Sequence, residues 1–123
     1  YRKVLNEPAL EALLKEHGFE IVIGEDHSFA DQARIFGSAN VLAGIHGAGL
    51  ANAVFMPASA RVIELRRKEH GTTNVGFWHL ADALDQSFYY FNGEPDSERP
   101  LVGQGCNLSI DLSAFRQRVL EII

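Results

Sequence analysis

A doubly wound, mostly parallel α/β sheet of the Rossmann-like kind is the fold the sequence predicts, and two observations carry that expectation. Short apolar runs rich in Ile, Val and Phe recur at a step of roughly 20 to 26 residues, the length of one strand plus one helix. Between these runs the pattern changes to helical spacing with its own capping signals. At 123 residues the chain has the length of one domain, taken as residues 1–123.

The strands are expected in "FEIVIG" from Phe19, "NVLAGI" from Asn40, "RVIELR" from Arg61, "SFYYFN" from Ser87 and "NLSID" from Asn107. Their near-continuous apolar character suits parallel strands covered on both faces. Asn6 is placed to cap a first helix with Glu7 and Pro8 in its opening turn, an apolar stripe of Leu10, Leu13 and Leu14, and a stop at Gly18. Ser28 with Asp31 resembles a capping box for a second helix, in which Ala33, Phe36 and Gly37 would face the sheet. A helix is expected after His46, and another over about 75–84 from the spacing of Phe77, Leu80, Ala81 and Leu84. Asp111 or Ser113 opens the last one, with Phe115, Val119 and Leu120 turned inward. Residues 92–105, "NGEPDSERPLVGQG", read as one long polar loop.

Composition narrows the function. The chain is 46% hydrophobic and 22% charged, as a globular domain should be, and its net charge of −5 gives no field that would recruit nucleic acid. An anion must therefore be held by local geometry. A single cysteine, Cys106, excludes an internal disulfide and is expected to be a structural thiol. No apolar stretch reaches the roughly 20 residues that span a bilayer, and no signal peptide is evident. A cytoplasmic place is expected, at the inner face of the membrane if the protein is peripheral to it. The chain enters a helix almost at once, which leads to the expectation of a fragment of a longer parent. His17, His27, His70 and His79 lack metal-ligand spacing, and no metal is expected.

The least ordinary stretch is "LAGIHGAGLANAVFMP", Leu42 to Pro57, where His46, Gly47, Ala48 and Gly49 separate two apolar runs. It falls at the end of a predicted parallel strand, where open α/β sheets bind ligands. Gly47 and Gly49 permit positive φ and close approach to the main chain. The following helix would offer unpaired N–H groups, which together make an anion site, most naturally for phosphate. The alternative is a close-packing turn in which His46 merely caps a carbonyl. Asn52 can present its amide near the same edge. Glu64 interrupts an apolar strand, and a buried carboxylate needs partners. It suits two ribose hydroxyls, or else an ion pair with Arg66 or Arg67. "RRKEH", Arg66 to His70, follows that strand and is read as a solvated loop, while Phe77 and Trp78 are read as core and helix surface.

The order "NE…L…GFE…SFADQARIFGSANVLAGIHGAGLANAVFMP…VIEL" resembles glycosyltransferase family 61, closely over Arg2 to Leu65 and in outline beyond. Its most specific parts are His46 to Asn52, Ser28 to Ala39 and Ile63 to Leu65. The resemblance implies a two-domain GT-B arrangement, this chain being most of the carboxyl-terminal, nucleotide-sugar-binding half. The family has bacterial members that build capsular and surface polysaccharides and eukaryotic members that add sugars to proteins or xylans. The resemblance implies an inverting, metal-independent enzyme with no cofactor, expected in capsular or surface polysaccharide synthesis. The absence of a D-x-D triplet agrees with that. A strand and a basic segment that the family pattern has before the position of Tyr1 are not found, nor is the acceptor-binding half, so catalysis by the chain alone is not expected.

On this resemblance the N–H groups of Gly47, Ala48, Gly49 and Leu50, with Asn52, hold the diphosphate of a nucleotide sugar, most naturally a UDP-sugar. His46 is the catalytic candidate and stabilises the leaving phosphate. Glu64 takes the ribose, and Ser28 and Gln32 line the adjacent strand end near the base, unless Ser28 is only a helix cap. The other partner implied is a glycan or lipid-linked glycan acceptor, with membrane-associated biosynthetic machinery nearby. Two rivals stand beside this reading. One is a non-catalytic nucleotide-binding module. The other is an α/β hydrolase-like domain using "HGAG" as an oxyanion hole, although no G-x-S-x-G elbow occurs and no histidine follows Cys106.

Overall fold

The computed structural model describes residues 2–68, 75–97 and 106–123. Four helices, α1 (Glu7–Glu16), α2 (Phe29–Gly37), α3 (Gly76–Ala83) and α4 (Leu112–Ile122), accompany four strands, β1 (Val41–Ile45), β2 (Arg61–Arg67), β3 (Ser87–Pro95) and β4 (Leu108–Ser109). Short 3-10 segments run over Gly24–Asp26 and Ala48–Phe55. The strand order is β1-β2-β3-β4. No helix among the described residues is long and apolar enough to cross a membrane. The residues gather into two compact units. One comprises Ile23–Leu65 and Glu69–Phe91, the other Tyr1–Val22, Arg66–Lys68 and Asn92–Ile123.

In the first unit β1 and β2 are parallel, in register from Val41 opposite Arg61 to Ile45 opposite Leu65. The Ser87 N–H donates to the Ala60 carbonyl at 3.1 Å, so β3 starts where β2 starts. Strand periodicity puts Leu42, Gly44 and His46 on the same face as their neighbours Val62 and Glu64. On that face Val62 packs with Leu50 and Ala53 of the 3-10 helix, with Leu42 and Phe88, and with Phe77, Leu80 and Leu84 of the α3 region. The crossover from β1 to β2 and the crossover from β2 to β3 therefore cover the same face. The structure is thus mixed α/β with a four-stranded, mostly parallel sheet. Each of these strands is followed by its neighbour in sequence, and crossovers of one hand made in one direction fall on one side.

The helix expected after His46 forms as a 3-10 helix, Ala48–Phe55. The Asn52 side-chain amide donates to the Gly49 carbonyl at 3.2 Å, a local bond that competes with α-helical pairing. The far end is tied by Gln86, buried just before β3. Its Nε2 donates towards the carbonyls of Ala53 at 2.9 Å, Met56 at 3.2 Å and Pro57 at 3.3 Å. Leu50 lies over Gly44, where an added Cβ would come within 3.2 Å of Leu50 Cδ2. Helix α2 packs on the 3-10 helix, with Phe29 and Phe55 rings edge to face at 5.4 Å. Ser28 caps α2 by accepting from the Asp31 N–H at 3.1 Å, as its sequence signal suggests. Its hydroxyl, and then Arg34, hold the Asp31 carboxyl below the usual carboxylate range.

In the second unit α1 and α4 pack together, burying Leu10, Leu13 and Leu14 of one and Phe115, Val119 and Ile122 of the other. Gly18 ends α1 at φ +84°, a left-handed position that glycine adopts without a Cβ penalty. Asp111 caps α4, accepting from the Ala114 N–H at 3.0 Å. Asn6 does not use its side chain to cap α1. Its amide pairs instead with the backbone of Ile110, donating to the carbonyl at 2.8 Å and accepting from the N–H at 3.0 Å. A chain segment 104 residues away thus outcompetes the local cap.

Four further expectations change. "FEIVIG" forms no strand: a strand needs a ladder partner, and the Phe19 N–H turns back to the Leu14 carbonyl at 3.1 Å. "NLSID" contributes two residues, antiparallel to β3. The expected loop from Asn92 begins as strand, since β3 runs on to Pro95, while residues 98–105 lie outside the described residues. Arg66 and Arg67 likewise belong to β2, and residues 69–70 of "RRKEH" lie outside the described residues. Cys106 is buried and free.

Removing the Gln86 amide leaves buried carbonyls without their donor, so Gln86→Ala should lower stability by about 1–3 kcal/mol in chemical denaturation. Gly44→Val should cost about 1–3 kcal/mol by the same measurement, because Leu50 must leave its place over β1.

Candidate functional site

His46 lies one residue beyond β1. Its backbone N–H continues the ladder by donating to the Leu65 carbonyl at 2.8 Å. Strand periodicity then brings its ring to the face that carries Glu64, whose register partner on β1 is Gly44. With no side chain at Gly44, nothing stands beside the carboxylate from β1 until His46. The His46 Nδ1 is hydrogen-bonded to Glu64 Oε1. Glu64 is 1% exposed and the His46 side chain 17% exposed, so the pair is desolvated on the carboxylate side and open on the imidazole side. Burial of the carboxylate is tolerable because a donor meets it. The Phe77 ring of α3 packs edge to face on the imidazole at 5.3 Å.

A carboxylate can only accept, so His46 Nδ1 must carry the hydrogen. The other nitrogen, Nε2, has no hydrogen-bond partner among the described residues and is the atom left to meet a ligand.

The turn after His46 supplies main-chain donors. Gly47 is extended (φ 161°, ψ −177°), and the 3-10 helix starts at Ala48. A 3-10 helix leaves its first N–H groups unbonded. Those of Gly47, Ala48 and Gly49 have no partner among the described residues, whereas the Leu50 N–H donates to the Gly47 carbonyl at 3.1 Å. Left-handed φ, which the two glycines permit, is not used by either of them. Their contribution is access. A Cβ built at Gly49 would meet nothing within 4 Å, so the main chain there is open to an incoming group.

The predicted residues fall into two groups. His46, Gly47, Ala48, Gly49, Leu50, Asn52 and Glu64 come together, with different tasks. Leu50 is buried core beneath the turn. Asn52 braces the turn through the Gly49 carbonyl. The Glu64 carboxylate is engaged with His46, buried away from solvent. Ser28 and Gln32 belong to a separate local network at the start of α2. The Ser28 hydroxyl donates to the Asp31 carboxylate at 2.8 Å, and Gln32 Nε2 donates to the carbonyls of Gly24 at 2.9 Å and His27 at 3.2 Å.

Two residues of this region carried no functional signal in the sequence. Phe77 reads there as ordinary core, and its contact with His46 depends on α3 folding back over the sheet. Gln86 carries no signal of its own in the sequence, and only the tertiary structure puts carbonyls around it. Among the described residues no cluster of three or more His, Cys, Asp or Glu side chains is present.

The comparisons with known proteins bear on the same stretch. The family model described as Glycosyltransferase 61 matches residues 1–63, about half of the chain, ending one residue before Glu64. An alpha-1,3-arabinosyltransferase of Oryza sativa subsp. japonica is 40% identical over 67 residues, covering 52% of this chain and 12% of that protein. A protein O-linked-mannose beta-1,4-N-acetylglucosaminyltransferase 2 of Bos taurus is 43% identical over 67 residues, with the same coverage. An EGF domain-specific O-linked N-acetylglucosamine transferase of Rattus norvegicus is 29% identical over 137 residues, covering 98% of this chain and 25% of that protein. The chain thus spans an eighth to a quarter of the length of these relatives, which come from a plant and two animals. The family pattern runs through α2, β1 and the whole His46 turn, and the chain belongs to glycosyltransferase family 61.

Proposed function

We propose that this chain forms the nucleotide-sugar donor site of an inverting glycosyltransferase. The observation that carries the reading is a row of three unpartnered N–H groups, Gly47 to Gly49, next to an imidazole backed by a buried carboxylate. Such a row binds an anion through oriented dipoles, and a diphosphate is the anion that a nucleotide sugar presents. Family membership and the names of the relatives, which transfer arabinose or N-acetylglucosamine, support sugar transfer as the chemistry.

In that reaction an acceptor hydroxyl attacks the anomeric carbon. The bond from that carbon to the diphosphate breaks, and its electron pair moves onto the leaving oxygen. Donors already fixed around that oxygen stabilise the developing charge without reorganising. His46 Nε2 is the side-chain donor, and Glu64 fixes the ring that carries it. Glu64 is thereby proposed as a positioning residue, in place of the ribose contact that its sequence position suggests. The GT-B arrangement and metal independence remain part of the proposal, as does a UDP-type donor with a glycan acceptor. A bacterial capsular setting draws no support from the plant and animal relatives and is left out of it.

Calorimetric titration of the chain with UDP, GDP, CMP and their sugars should find one nucleotide class that binds. His46→Ala should weaken it roughly ten- to hundred-fold, as loss of a charge-assisted hydrogen bond does. Gly49→Val should weaken it about ten-fold or more with the fold intact, since the added side chain enters open space. Unchanged affinity in both variants would remove the turn from the site. Nitrogen NMR of the imidazole should show the Nδ1–H form when His46 is neutral. Glu64→Gln should relax this towards a mixture of tautomers and lower the nucleotide affinity; a tautomer that ignores the substitution would refute the positioning role.

A further inference from the structure

We propose that Trp78 is the surface on which the sugar ring of the donor stacks, with Asp82 one turn later accepting from its hydroxyls. This rests on the donor-site reading above. Trp78 is the only tryptophan of the chain and is 49% exposed. Tryptophan is highly buried on average, so a half-exposed indole is informative in a way that an exposed leucine is not. It sits in the first turn of α3, directly after Phe77, the residue whose ring packs on His46. Consecutive Cα atoms are about 3.8 Å apart, and a donor sugar is joined to its diphosphate by one oxygen. A diphosphate beside His46 therefore lies close to the first turn of α3, which carries Trp78.

The chemistry of the turn matches a sugar ring. One face of such a ring is a patch of C–H groups and its rim is hydroxyl. An indole face carries partial negative charge and attracts C–H groups, which are slightly positive. The indole lies against the neighbouring His79 ring, at 4.9 Å and tilted by 49°. Asp82 follows at i+4, on the same strip of helix surface, and is exposed. Because side chains on a helix lean towards its N-terminus, the Asp82 carboxylate leans towards Trp78 and the first turn. An aromatic face beside a carboxylate provides both halves of sugar recognition. Phe29 and Val54 are also exposed, but neither adjoins a residue in contact with His46.

Trp78 being the sole tryptophan, its emission reports on this site alone when excited where tyrosine does not absorb. The test is a pair of titrations of the chain, by calorimetry and by fluorescence, with each nucleotide and with its sugar conjugate. The nucleotide that binds should leave the emission nearly unchanged. Its sugar conjugate should change the emission and bind roughly three- to ten-fold tighter, the range expected of one stacking contact. Trp78→Ala should abolish that margin while keeping nucleotide affinity, Trp78→Phe should restore part of it, and Asp82→Asn should reduce it. Emission indifferent to the sugar, a conjugate no tighter than its nucleotide, or a margin that survives Trp78→Ala overturns the proposal and leaves the donor site standing. A chain that binds no nucleotide at all overturns both.

Discussion

The bond between His46 and Glu64 is the interaction on which this unit depends. A carboxylate 1% exposed in the middle of a parallel strand pair is costly unless a donor meets it, and the donor comes from the residue just past the neighbouring strand. Three conditions make the meeting work. The register places Gly44, not a bulkier residue, opposite Glu64. The His46 backbone is held on β2 through the Leu65 carbonyl, which sets the ring's height. Phe77 then closes on the imidazole from α3. Hydrogen bonding, strand register and helix packing thus converge on one ring.

The same face of the sheet holds both the core and the site. Leu42, Val62 and Phe88 form its apolar floor, and Leu50, Ala53, Phe77, Leu80 and Leu84 cover it. Gly44, His46 and Glu64 continue that face past the end of the floor. Because both crossovers cover one face, the 3-10 helix and α3 lie over the same strands, and the turn that begins one is near the first turn of the other. A rigid core directly beneath the His46 turn holds its N–H groups in fixed directions, which is what the proposed donor site requires. The Gln86 amide and the Asn52 side chain serve the same end from the two ends of the 3-10 helix, each occupying a carbonyl that would otherwise compete for order.

Much of this was legible in advance. The strands at Val41 and Arg61, the caps at Ser28 and Asp111 and the stop at Gly18 all follow from local chemistry, which acts over three or four residues. The His46 turn was legible too, as an interruption that an apolar run does not need. Elements that depend on a distant partner were misread. "FEIVIG" has strand composition but no ladder partner, and Asn6 has a cap residue's chemistry but bonds Ile110 instead. The role of Glu64 lay between these cases. Its need for a partner was readable from one charge in an apolar strand, while the partner's identity required the parallel register.

What the sequence by itself determined is the locally specified segments and the family: apolar period, capping chemistry and the order of motifs are properties of neighbouring residues and survive without coordinates. What only the tertiary structure decided is the order of the strands in the sheet, the 3-10 form of the turn helix, and the pairing of His46 with Glu64 beneath Phe77. Each of these is a choice among arrangements that the same local pattern permits equally. Packing settles the choice, because the observed arrangement brings a donor to the buried carboxylate and seats the Leu50 side chain over Gly44.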